Sequence, residues 1–126
     1  TLTDICHSRG VKVLFHSDGD VIQALSRLAN CGIDGFNPLE ISAGMRPADF
    51  KAICGRRVAL VGGIDAVDVL ARGTPEQVAS ATRALIDLYR DDGNLLMASA
   101  SGEIDNSMPL ANVTAMLETT WQYGQY

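Results

Sequence analysis

The stretch VKVLFHSDGDV, Val11–Val21, runs from a short apolar segment straight into a histidine, a serine and two aspartates. An apolar run rich in β-branched residues and bounded by turn formers reads as a strand. The segment after it, Val21–Ala29, places Val21, Leu25 and Leu28 on one helical face. The unit is therefore strand, polar loop, helix, and its loop carries more polar groups than turn chemistry requires.

That unit recurs along the chain. Ile33–Phe36 precedes a helix expected from about Pro47 to Ile53, and Arg57–Val61 precedes a short helix expected near Val67 to Ala71. A longer helix then opens at Thr74-Pro75-Glu76-Gln77: the threonine suits the cap, the proline the first helical position, and the glutamine completes a capping box. Val78, Thr82, Leu85, Ile86 and Tyr89 continue it until Asp91-Asp92-Gly93. Asn94–Ala98 reads as the fourth strand, and Met108-Pro109 opens a last helix that runs to about Tyr123 before Gly124. Residues 1–9 read as the tail of a helix whose beginning is missing.

Strands alternating with helices imply an α/β fold with a parallel sheet and right-handed crossovers. A doubly wound nucleotide binder would show a glycine fingerprint after its first strand, whereas this chain has Ser17-Asp18-Gly19-Asp20, which is acidic and repels phosphate. Four units in 126 residues make half of a (β/α)8 TIM barrel, for which about 250 residues is typical. The expected fold is the C-terminal half of such a barrel, with residues 1–126 forming half of a single barrel domain.

Composition narrows the function classes. Ten basic against fifteen acidic residues give a net charge of −5 with no Lys/Arg cluster, which argues against a nucleic-acid or anionic-membrane partner. No apolar run approaches the roughly 20 residues of a bilayer span. Cys6, Cys31 and Cys54 are odd in number and far apart, so they read as reduced thiols in a cytoplasmic protein, and no CxxC pair suggests a structural zinc knuckle.

In a barrel, chemistry collects at the C-terminal ends of the strands. The first strand delivers His16, Ser17, Asp18 and Asp20; the second Asn37 and Glu40; the third Gly62, Gly63 and Asp65; the fourth Ser99, Ser101 and Glu103. Each has a structural alternative. Asp18 or Asp20 would cap the following helix. His16 would be a satisfied strand-end histidine, Glu40 an exposed loop carboxylate, and Gly62-Gly63 a simple turn. The functional reading is that acidic neighbours orient the His16 ring, and that the glycines let a ligand approach the backbone. Met45, Met97, Met108 and Met116 read as packing.

Together, HSDGD (His16–Asp20), GIDGFNPLE (Gly32–Glu40), GGID (Gly62–Asp65), RGTPEQV (Arg72–Val78) and MPLANV (Met108–Val113) resemble the C-terminal half of the uroporphyrinogen decarboxylase family. That family includes decarboxylases of tetrapyrrole acetate side chains, which need no cofactor, and zinc-dependent methyltransferases serving corrinoid or thiol acceptors. The resemblance implies a carboxy-lyase of porphyrin biosynthesis, or of a divergent small molecule, with His16, Asp18 and Glu40 catalytic. Ser17, Asn37, Gly62, Gly63, Asp65, Ser99 and Ser101 would contact substrate. For the methyltransferase alternative it implies a divalent metal at His16, Asp18, Glu40 and Ser101, where the relatives' two cysteines are replaced by harder oxygen donors. The decarboxylases' arginines and catalytic aspartate belong to the N-terminal half, and their histidine after the last strand would fall near Gly102.

A third expectation is a catalytically inactive fragment. Half a barrel has two open strand edges, so it should form a homo-oligomer or be covered by a missing N-terminal half.

Overall fold

The computed structural model describes residues 1–100 and 103–125. Its elements are α1 (Leu2–His7), β1 (Leu14–His16), α2 (Ile22–Asn30), β2 (Gly35–Asn37), α3 (Pro47–Cys54), β3 (Ala59–Ile64), α4 (Pro75–Tyr89), β4 (Leu95–Ser99) and α5 (Leu110–Tyr123). A 3-10 turn, Ile41–Ala43, precedes α3, and a π-helical segment, Ala66–Ala71, precedes α4. The strands form one sheet in the order β1-β2-β3-β4, each pair parallel. This is the α/β architecture of four consecutive units of a TIM barrel.

Several boundaries differ from the expected ones. β1 pairs at Leu14–His16 rather than Val11–Phe15, because the Val13 backbone N–H is taken by the Asp34 carboxylate at 2.8 Å before the ladder begins. β3 starts two residues later than expected and continues through Gly62 and Gly63 to Ile64. The short helix expected near Val67 to Ala71 is present as the π-helical segment Ala66–Ala71.

Period-2 alternation decides what each strand offers. The registered rung Phe15, Phe36 and Leu60 faces the helices. There Phe36 stacks on Phe15 at 6.2 Å and meets Phe50 of α3 at 5.7 Å between centroids. Leu25, Leu39, Met45, Val58, Leu70, Val78, Tyr89 and Met116 complete that core. The opposite face carries Leu14, His16, Asn37, Val61 and Leu96, with Leu14 and Leu96 56% and 60% exposed.

The helices are fixed largely by their ends. Thr74 and Gln77 form the expected capping box of α4. Asn112 of α5 is buried and donates from Nδ2 to the carbonyls of Leu70 (2.9 Å) and Gly73 (2.8 Å), tying the last helix to the end of the π-helical segment.

At the N-terminal ends of the strands, Asp34 accepts from Lys12 Nζ at 2.8 Å and from the Val13 N–H at 2.8 Å, and pairs with His7 Nε2 at 2.7 Å. Lys12, then the Val13 N–H, then His7 hold its carboxyl well below the usual carboxylate range. Asp92 is lowered in the same sense by Lys51 and Arg56. A depressed folded-state pKa means that the unfolded chain takes up the proton first. The stabilisation is complete above about pH 5 and is lost as pH falls through 4 and below. Asp34→Asn should therefore narrow the gap between the urea midpoints measured at neutral and at acid pH. An unchanged gap would show that Asp34 carries none of the acid sensitivity.

Candidate functional site

His16 is the last residue of β1 and Asn37 the last of β2, and the parallel register sets them side by side. Both therefore project from the face turned away from the helices, at the C-terminal rim. His16 Nδ1 lies 2.9 Å from Asn37 Oδ1, and Asn37 Nδ2 donates to the Val61 carbonyl at 3.3 Å. The ring is thus oriented by an amide, where the sequence suggested an acidic neighbour. Asp18 is exposed, with Oδ1 3.8 Å from His16 Nε2, an ion-pair separation beyond hydrogen-bond length.

Glu40 reaches back toward the same loop. Its Oε2 accepts from the Gly19 N–H at 2.5 Å and its Oε1 from Ser42 Oγ at 3.2 Å. Gly19 has φ +82°, a left-handed conformation natural to glycine. Glu40 therefore pins the His16–Asp20 loop to the end of β2, a role that sequence alone did not suggest. Asp20 accepts from the Ile22 N–H at 2.9 Å, so of the two aspartates it is the one that supports the start of α2.

The remaining rim residues divide by what occupies them. Asp65 Oδ1 accepts from the Val67 and Asp68 N–H groups, which makes it the N-cap of the π-helical segment. Gly62 and Gly63 have φ +120° and +99°. A Cβ on Gly62 would sit 3.1 Å from the Ser99 carbonyl, and one on Gly63 2.8 Å from a Leu85 methyl, so close packing explains both glycines. Ser17 donates from Oγ to the Asp18 carbonyl at 3.3 Å. Ser99 is buried at the end of β4. Ser101 and Gly102 lie outside the described residues.

Two hollows bear on these groups. A depression of about 120 Å³ at the rim is lined by Glu40, Ile41, Ser42, Asp65, Ala66, Val67 and Ala100, joining the ends of β2, β3 and β4. A larger groove of about 470 Å³ lies at the other end of the strands, among Lys12, Leu14, Asp34, Arg56, Asn94 and Leu96. Barrel interiors are filled at that end, and chemistry is built at the C-terminal face. The smaller hollow is the one at the C-terminal rim, and Glu40 in its lining also holds the Gly19 N–H of the loop that follows His16.

The donor set does not fit a zinc–thiolate centre. Among the described residues no three His, Cys, Asp or Glu side chains converge on a common point. Cys54 is buried in the core, and Cys6 lies on α1 with Cys31 just after α2, away from the rim.

Four consecutive strand–helix units in one parallel sheet, with polar groups gathered at one rim, define the class as part of a TIM-barrel scaffold. The sequence matches the profile of the family "Uroporphyrinogen decarboxylase (URO-D)" over residues 1–123, and the chain belongs to that family. Among solved structures it resembles a methyltransferase from Methanosarcina mazei, with a TM-score of 0.72 and 22% identity over 98% of this chain. That alignment takes in 34% of the methyltransferase, so the chain spans about a third of its length. No curated protein matches the sequence. Among the described residues, no helix is long and apolar enough to cross a membrane.

Proposed function

We propose that these residues form the C-terminal half of a metal-independent carboxy-lyase acting on a tetrapyrrole acetate or a related small carboxylic acid. The observation that carries this reading is the rim pair His16–Asn37 beside an exposed Asp18, with no thiolate near it among the described residues. In such a decarboxylation a protonated pyrrole accepts the electron pair of the breaking C–CO2 bond, the methylene left behind takes up a proton to become a methyl group, and the ring gives its own added proton back. A carboxylate near the ring stabilises the cationic form. Asp18 is the exposed carboxylate in position to do so, and the outward edge of His16 is the group in position to relay the proton. Glu40 contributes by holding the loop that carries Asp18.

The substrate-holding arginines and a second carboxylate would come from a preceding half-barrel on the same rim. The likeness to a methyltransferase supports a second reading, methyl transfer at an altered metal site built on His16, Asp18, Glu40 and Ser101.

The test is CO2 release from uroporphyrinogen by the barrel containing these residues, with and without a chelator. Chelator-resistant turnover that falls about a hundredfold or more in His16→Ala is the expected outcome. Stoichiometric zinc that is lost in the same variant, with methyl transfer to a thiol, would replace the decarboxylase reading with the second one.

A further inference from the structure

We propose that Asn37 is a positioning residue that fixes the neutral His16 ring in its Nδ1–H tautomer, leaving Nε2 as the lone-pair atom presented to the rim. The assignment follows from one group that cannot change its role. The Val61 carbonyl only accepts, so the Asn37 atom facing it at 3.3 Å is the Nδ2 amide. The other end of the amide, Oδ1, is then the atom 2.9 Å from His16 Nδ1. An amide oxygen also only accepts, so Nδ1 must bring the hydrogen. When the ring is neutral its other nitrogen is bare.

Among the described residues, no hydrogen bond at the outer nitrogen opposes this. Asp18 Oδ1, at 3.8 Å from Nε2, is too far to hold a proton there by hydrogen bonding. The backbone supports the arrangement: His16 and Asn37 are registered partners, and the Ser17 N–H donates to the Asn37 carbonyl at 3.0 Å, locking the two strand ends together. The other histidine supplies an internal contrast. His7 is held through Nε2, at 2.7 Å from Asp34 Oδ2, so a neutral His7 carries its hydrogen on Nε2, the reverse of His16.

The inference bears on the proposed reaction by naming Nε2 as the atom that would take or give the proton, but its test needs no turnover. Long-range 15N–1H correlation spectra of the barrel containing these residues, recorded at a pH where both rings are neutral and assigned by the signals lost in His16→Gln and His7→Gln, report the tautomer directly. Wild-type His16 should show a protonated Nδ1 and a bare Nε2. In Asn37→Leu the Nε2–H form should gain on the order of tenfold in tautomer ratio, the effect of losing one hydrogen bond. Asn37→Asp, which keeps the acceptor oxygen, should restore the wild-type pattern and serves as the test if the leucine variant does not fold. A protonated Nε2 in the wild type, or a folded Asn37→Leu chain with an unchanged tautomer, would overturn the proposal. The wild-type pattern combined with a failed decarboxylation assay would sink the proposed reaction and leave this assignment standing.

Discussion

Replacing Phe36 by alanine is expected to cost about 3–5 kcal/mol, the usual penalty for removing a fully buried aromatic ring. Phe36 has no exposed surface, and its ring links Phe15 on the neighbouring strand to Phe50 on α3. Its rung continues to Leu60 of β3, so the ring sits where the sheet meets the helix layer. Neither neighbouring ring can fill the space without leaving its own contacts, so most of the cavity should persist. Against a total stability of about 5–15 kcal/mol for an ordinary domain, such a loss brings the chain near unfolding. The comparison variant is Leu96→Ala, on the opposite face and largely exposed, expected to change stability by less than about 1 kcal/mol. Urea titrations of the two variants against wild type decide the matter. Similar midpoints for both would mean that the aromatic rung is not the centre of the core.

The repeating strand–helix units were readable because hydrophobic periodicity acts locally, and so were the ends of α4, whose capping box is written into four consecutive residues. Strand limits were harder, because a ladder is defined by its partner. Val11 and Val13 are as apolar as Leu14 and Phe15 and are β-branched besides, yet β2 offers its first rung only at Gly35, opposite Leu14. Gly62-Gly63 read as a loop because glycine is a poor strand former. The chain nevertheless keeps both inside β3, since the Ser99 carbonyl and Leu85 come too close for a side chain.

The site divides along similar lines. His16 and Asp18 stood out as titratable groups closing an apolar run, and the structure sets them 3.8 Å apart. The parts played by Asn37 and Glu40 depend on hydrogen bonds to residues 21 or more positions away, which no spacing rule reveals. Asp65 shows the converse: the residue was noticed for its place after a strand, and the structure gives it an N-cap.

Expressed as these 126 residues, the chain is expected to self-associate through the open sheet. Among the described residues β1 and β4 each have one neighbouring strand, so each stands at an edge of the sheet. Such edges recruit further strands unless they are short, charged or covered. The face between them exposes Leu14 and Leu96, and α1 and α5 expose Leu2, Ile5, Leu117 and Trp121. Burying apolar surface is worth about 25 cal/mol per Å², so the leucine face favours association along with the edges. Light scattering should give a mass well above 13.4 kDa at micromolar concentration. The paired substitution Leu14→Asp, Leu96→Asp should bring it down to the monomer without disturbing the Phe36 core, because both side chains project from the far face of the sheet. A wild-type chain that stays monomeric across that range would show that the edges, three and five residues long, are short enough to protect themselves. Aggregation that persists in the double variant would place the contact on the helices instead. The same substitutions made in a complete barrel should be destabilising, because there both positions would face a closed interior that cannot hydrate a carboxylate.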